Sequence, residues 1–168
     1  MYFCRQRSKK RTVKRKLPKK IILNITPRTW VRATQRDRIF FRIPREQLRK
    51  DGLTRLRTLE AYNNWKIAIR GLANAQKFQL PEQGLEIKFC IPIPKTWKKY
   101  KQREMAGKLH QQKPDLSNLL KAFEDAMIAE DKFIAHYAGL SKIWVLEPEG
   151  RIEMILHTPV YSNSDTLV

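Results

Sequence analysis

Residues 113–127 read KPDLSNLLKAFEDAM, and this stretch decides both the fold and the chemistry that we expect. At about 100° per residue, its apolar side chains fall on one stripe of a helix. The stripe consists of Leu116, Leu119, Leu120, Phe123 and Met127. We therefore predict an amphipathic helix over residues 116–129 whose apolar face packs on a sheet.

Strand patterns lie on both sides of this helix. Short stretches rich in β-branched or aromatic residues, each followed by turn-forming residues, span residues 21–25, 38–43, 85–93, 143–146 and 151–157. The last two flank a turn at residues 148–150 and predict a hairpin. Apolar residues at close to helical spacing over 45–77 predict a short helix and a long helix, separated at Asp51-Gly52. The expected fold class is α/β (α+β): a small mixed β-sheet packed with two main helices.

The N-terminal segment differs in composition from the rest of the chain. Residues 1–20 contain ten Lys or Arg and no Asp or Glu. Such a block repels itself and buries no apolar surface, so we expect a disordered basic tail. It serves either as an arm that grips DNA or as a dispensable extension. The expected folded domain is then 21–158, followed by a C-terminal tail over 159–168.

The charge balance indicates a polyanionic partner. Lys and Arg number 35 against 16 Asp and Glu, which gives a formal net charge of +19. Nucleic acid is the first candidate partner, an anionic membrane surface is the second, and charge that serves only solubility is the third.

Other classes of protein are less compatible with the sequence. Cys4 and Cys90 form no disulfide framework, and no paired Cys/His spacing indicates zinc. No apolar run reaches the length of a membrane span, so we expect no membrane partner and a cytoplasmic location. His110 and His136 are each expected to be ordinary rather than catalytic, with His136 on a strand.

Residues 95–113 are predicted to form a mobile basic loop. Trp97 and Tyr100 are interleaved with its cations. Such a stretch favours DNA contact over a merely solvated connector. The predicted DNA-binding residues are Lys98, Lys99, Lys101, Arg103, Lys108 and Lys113.

Acidic residues are concentrated directly after this loop. Five of the sixteen acids fall between residues 115 and 131. Clustered acids in a basic protein cost electrostatic energy unless a divalent cation neutralises them, and Mg²⁺ (or Mn²⁺) prefers carboxylate and water oxygens. Bound metal would suit phosphodiester hydrolysis. An ordinary amphipathic helix with a solvated acidic face explains the same spacing.

The pattern Lys-Pro-Asp-x-Ser-Asn-Leu-x-Lys-x-x-x-Asp-Ala over residues 113–126, followed by the acidic pair at 130–131, resembles the signature of RusA-family Holliday junction resolvases. The stretch ITPRTW at 25–30 is similar to the early segment of that family. The resemblance implies a metal-dependent endodeoxyribonuclease that acts on branched DNA, the four-way junction, as a homodimer.

The resemblance also assigns residues. Asp115 and Asp131 match metal-binding catalytic aspartates, and Lys121 matches a lysine needed for cleavage. Asn118 and Asp125 match positions with structural roles, and Asp125 is placed to pair with Lys121 four residues before it.

One position departs from the family pattern. Ser117 stands where the family has a second aspartate, and a hydroxyl is a weaker, neutral ligand. Glu124 lies on nearly the same helix face as Ser117 and is a candidate substitute ligand. A protein that binds branched DNA with weak or no cleavage is therefore one alternative, and a basic RNA-binding protein is another.

Overall fold

The computed structural model describes residues 20–127 and 134–157. In chain order, the elements within these residues are β1 (Lys20–Leu23), α1 (Asp37–Phe40), a 3₁₀ helix (Arg45–Gln47), α2 (Lys50–Ala75), β2 (Gln83–Pro92), α3 (Lys99–Met105), α4 (Leu116–Met127), β3 (His136–Val145) and β4 (Arg151–Leu156). The predicted α+β fold with a mixed sheet and two main helices, α2 and α4, is confirmed. Apart from Lys20, the predicted tails lie outside the described residues.

The sheet has the strand order β1-β4-β2-β3. Strand β4 pairs antiparallel with both β1 and β2, whereas β2 and β3 are parallel. The predicted hairpin is wrong, because β2 lies between β3 and β4. The connection crosses the end of β2 at Gly150, where an added Cβ would lie 2.5 Å from the carbonyl oxygen of Cys90. A glycine is needed at this close approach.

The hydrophobic core forms where α2 and α4 cover one face of the sheet. Its largest fully buried side chains are Phe89, Phe123, Ile21, Leu23, Ile69, Leu85, Ile87, Leu119, Ile152 and Met154. Burying a side chain of this size contributes roughly 1.5–3 kcal/mol before conformational entropy is counted. The rings of Phe89 and Phe123 meet edge to face at 6.5 Å, which joins α4 to β2. The apolar stripe of α4 was therefore predicted correctly.

The predicted strand over residues 38–43 is wrong, because Asp37 closes a helical turn there. Its carboxylate accepts hydrogen bonds from the backbone N–H and the hydroxyl of Thr34. It also binds the Arg55 guanidinium through both oxygens, at 3.0 and 2.8 Å. The Arg55 hydrogen bond and the Thr34 N–H hold the pKa of buried Asp37 well below its usual range. The resulting helix, α1, leaves Ile39 and Phe41 exposed.

The predicted helix break at Asp51-Gly52 is also wrong. Helix α2 runs through both residues from Lys50. An added Cβ at Gly52 would lie 3.2 Å from the ring of Phe40. This glycine therefore lets α1 pack closely against α2, and it does not end the helix.

Residues 95–113 are more ordered than the predicted mobile loop. They contain α3 and a short antiparallel bridge between Leu109 and Ile143 of β3. His136 begins β3, as predicted. No helix among residues 20–127 and 134–157 is both long and apolar enough to cross a membrane.

Candidate active site

The start of α4 presents its polar side chains to solvent. Asp115 precedes the helix, and its carbonyl oxygen accepts a 3.2 Å hydrogen bond from the N–H of Leu119. Asp115, Ser117, Asn118 and Lys121 are all exposed. Among the described residues, no hydrogen bond or ion pair engages the Asp115 carboxylate. An acidic and a basic group of the predicted catalytic set are thus accessible, Asp115 just before α4 and Lys121 midway along it.

A buried support holds the chain that leads into α4. The ammonium of Lys142 on β3 donates to the carbonyl oxygens of Gln112 and Pro114, at 2.6 and 2.5 Å. The N–H of His110 donates to the carbonyl of Lys142, and the His110 ring lies 3.9 Å from the Trp144 ring centroid. Burial, and then the charge of Lys142, lower the pKa of His110. His110, packed on Trp144, therefore holds the chain before α4 against β3.

Lys121 contacts an aromatic ring from a distant part of the chain. Its Nζ lies 4.1 Å from the centroid of Trp30, within cation–π range. The Trp30 N–H also donates to the carbonyl of Asn118 at 3.1 Å. The segment after β1 therefore holds both the backbone of α4 and its exposed lysine. Trp30 belongs to the ITPRTW segment noted in the sequence, but no role was predicted for it.

The acids near the end of α4 make hydrogen bonds with tyrosines. The hydroxyl of Tyr137 donates to Glu124 Oε1 at 2.6 Å. The hydroxyl of Tyr62 and the ammonium of Lys66 both donate to Asp125 Oδ2, at 2.8 and 3.1 Å. Burial and these carboxylates raise the pKa of both tyrosines. Asp125 therefore pairs with α2 instead of Lys121, which corrects the expected i,i+4 pair.

The predicted metal ligands do not come together among the described residues. Within 20–127 and 134–157, no three His, Cys, Asp or Glu side chains are grouped closely enough to hold an ion. Asp115 offers an exposed carboxylate, which is the oxygen donor that a hard divalent ion takes. Glu124 uses Oε1 for Tyr137 and has a second oxygen. Asp131 lies outside the described residues.

The predicted DNA-binding cations of the 95–113 stretch are all exposed: Lys98, Lys99, Lys101, Arg103, Lys108 and Lys113. Helix α3 carries three of them. Lys101 lies over the Trp97 ring at 4.2 Å, and Lys108 pairs with Glu104 at 3.1 Å. Exposed pairs of this kind are weak and leave the cations available to phosphate.

A groove beside α2 was not predicted from the sequence. It has a volume of about 620 Å³ and is called the α2 groove below. Its walls are the loop after β1, one side of α2 and the residue before Asp115, and its lining consists of Pro27, Arg28, Thr29, Val31, Thr54, Arg57, Thr58, Ala61, Tyr62 and Pro114. No short motif marks it, because three separate segments build it.

A basic α+β domain that exposes an aspartate before a helix and a lysine on that helix, with two arginines in a nearby groove, has the features of a nuclease. The family model described as Endodeoxyribonuclease RusA matches residues 42–154, which is more than half of the chain. The chain therefore belongs to the RusA family, which comprises endodeoxyribonucleases that act on Holliday junctions. No curated protein and no solved structure matches this chain. Residues 20–41, which include Arg28 and Trp30, precede the matched region.

Proposed function

We propose that this protein resolves four-way DNA junctions by paired, symmetric, metal-dependent nicks, in DNA recombination and repair. The observation that carries this proposal is the start of α4, where the Asp115 carboxylate is exposed without a described partner and Lys121 is exposed on the same helix. The family match supplies the substrate class.

In this proposal, Asp115 and Asp131 hold Mg²⁺ or Mn²⁺. Glu124 lies about 10 Å beyond Ser117 along α4, at roughly 1.5 Å per residue, so its second oxygen supports the ion through a bridging water. When bound, the ion neutralises charge on the scissile phosphate and supplies an activated water. The Lys121 ammonium stabilises negative charge on the phosphate as the bond breaks. The cations of α3 and its flanks hold the DNA backbone.

A homodimer follows from the symmetry of the substrate. Resolution requires two equivalent cuts, and a two-fold dimer presents two equivalent sites to a two-fold junction. A protein that binds junctions without cutting them is the second candidate function, because Ser117 removes one carboxylate from the family pattern.

The test is cleavage of a synthetic four-way junction, with a linear duplex of the same sequence as the control. We expect symmetric nicks with Mg²⁺ or Mn²⁺, none with EDTA, and an unchanged gel shift in EDTA. Wild type mixed with an Asp115→Asn variant should produce junctions that are nicked on one strand only. Nicking in EDTA contradicts the metal requirement, and equal cleavage of the duplex contradicts junction selectivity. Binding without any cleavage establishes the second candidate.

A further inference from the structure

The α2 groove contains two arginines whose guanidinium groups have no partner in the part of the chain that the structure describes. Three other arginines near α2 have structural partners: Arg45 binds Glu60, Arg55 binds Asp37, and Arg70 donates to the carbonyl of Ala126. In contrast, Arg28 and Arg57 are exposed and have no hydrogen bond or ion pair among the described residues. They are cations available to a ligand.

The donors and acceptors in the groove define the class of that ligand. No Asp or Glu lines it. The hydroxyls of Thr54 and Thr58 donate to helix carbonyls, both at 2.9 Å, so their hydrogens are already used. The available donors are the two guanidinium groups and the Thr29 hydroxyl, which match the acceptor oxygens of a phosphodiester.

The remaining walls and the position of the groove suit a nucleic-acid strand rather than a small anion. Pro27, Val31 and Ala61 add apolar surface, which fits deoxyribose between successive phosphates. A volume of about 620 Å³ is much larger than one phosphate group needs. Pro114, the residue directly before Asp115, is one of the lining residues. A strand lying in it passes next to the start of α4.

We propose that the α2 groove binds the sugar–phosphate backbone of one DNA strand beside the bond that is cut, with Arg28 and Arg57 as its phosphate ligands. The proposal rests on the proposed junction-cleaving function. It adds a binding surface built partly from residues that precede the family match. The predicted α3 cations do not line this groove.

The test measures junction binding in EDTA against salt concentration, so that it does not depend on cleavage. We would compare wild type with Arg28→Gln, Arg57→Gln and the double variant. Each arginine that contacts a duplex phosphate contributes about −0.9 to the slope of log K against log salt, or about −0.7 for a single strand. We expect each single variant to flatten the slope by that amount and the double variant by about twice as much.

The matched control is Lys77→Asn, which removes one exposed cation just beyond the end of α2, and that end is about 27 Å from Arg57 at roughly 1.5 Å per residue. Asparagine suits the positive φ of 53° at this position. The control should keep the wild-type slope. Ethylation interference should reveal phosphate contacts that wild type makes and Arg57→Gln does not. These phosphates should lie next to the bond that wild type nicks.

Failure of the groove proposal and failure of the proposed cleavage function would give different results. If the groove variants keep the wild-type slope while wild type cuts junctions, the groove proposal is wrong and the proposed function stands. If wild type never cuts but the slopes flatten, the groove binds DNA and the cleavage proposal is wrong. Inorganic phosphate that competes with DNA for wild type, but not for the double variant, at constant ionic strength would show a small-anion site and overturn the assignment to a strand.

Discussion

Helix α4 carries acidic side chains at both ends, and the two ends use them differently. At the end of the helix, Glu124 and Asp125 accept hydrogen bonds of 2.6 and 2.8 Å from tyrosine hydroxyls. At the start, the Asp115 carboxylate is exposed and has no partner among the described residues. A carboxylate that already accepts a buried hydroxyl stabilises the fold, whereas an unengaged one is available to metal or substrate. Within one motif, Glu124 and Asp125 are thus already engaged in the fold, whereas Asp115 is accessible to a ligand.

The largest expected effect is at the start of the helix. Asp115→Asn should reduce junction cleavage by on the order of a thousandfold, because metal catalysis supplies several kcal/mol and each 1.36 kcal/mol is a factor of ten. Its thermal stability should match wild type. Asp125→Ala is the control at the other end: it should retain cleavage and lose about 1–2 kcal/mol of unfolding free energy, since the Tyr62 hydroxyl loses its acceptor. The opposite pattern would reverse the roles given to the two ends.

The second effect concerns the exposed lysine. Lys121→Ala should lower the single-turnover cleavage rate by about a hundred- to a thousandfold, the loss seen when one transition-state donor is removed. Junction affinity, measured by gel shift in EDTA, should change little. A variant that cuts at the wild-type rate would make Lys121 an ordinary surface lysine.

The third prediction concerns Glu124. This residue lies near the end of α4 and accepts a hydrogen bond from Tyr137, and we propose that it also supports the metal. Glu124→Gln keeps an oxygen for Tyr137 and removes the charge, so cleavage should fall by about 10- to 100-fold if the carboxylate supports the metal. Adding Ser117→Asp should restore part of that loss. Tyr137→Phe is the matched control, because it removes the hydrogen bond and keeps the charge. If cleavage falls only in Tyr137→Phe, Glu124 is structural, like Asp125.

The motif helix was predictable because its signals are local. The apolar stripe of α4, the strand composition of β2 and the spacing of Asp115 and Lys121 all lie within short stretches of sequence. The pairing of β3 was not predictable in this way, since a turn between β3 and β4 is also compatible with a connection that crosses β2. Strand pairing depends on which buried faces meet.

The supports of the site were missed for the same reason. Trp30 contacts Lys121, and Lys142 holds the carbonyl of Pro114, across long separations in sequence. The prediction of a strand at 38–43 was wrong because it relied on local composition. The helical turn there depends on the interaction of Asp37 with Arg55, which lies on α2. Long-range ion pairs of this kind leave no periodic pattern.

A smaller effect is expected from the aromatic support of Lys121. Trp30→Leu removes the ring but keeps an apolar side chain, and an exposed cation–π contact is worth about 0.5–1 kcal/mol. The cleavage rate should therefore fall roughly two- to fivefold, at 1.36 kcal/mol per factor of ten. Trp30→Phe should recover most of the rate, because it restores an aromatic face. In a Lys121→Ala background, Trp30→Leu should have no further effect on the rate; an equal loss there would mean that Trp30 acts independently of the lysine.

The smallest effect concerns the buried support beneath the exposed start of α4. His110 packs on Trp144, lies near Lys142, and its Nδ1 accepts the Gln112 N–H at 3.3 Å. Its pKa is lowered in the folded state, so the unfolded chain takes up the proton first as the pH falls. This contribution to stability is fully present above about pH 6.5 and is lost as the pH falls from there through the lowered folded-state pKa. One proton limits the slope to about 1.4 kcal/mol per pH unit.

Denaturant unfolding of wild type and His110→Gln at pH 7.5 and 5.5 measures this term. The variant should be less stable at pH 7.5, since it loses the ring packed on Trp144, and it should lose less stability than wild type on acidification. Hydrogen exchange should show early opening of residues 108–115 in wild-type protein at pH 5.5, while the buried end of α4 stays protected. Equal pH dependence in both proteins would show that the start of α4 is supported by Lys142 and Trp144 without any contribution from the charge state of His110.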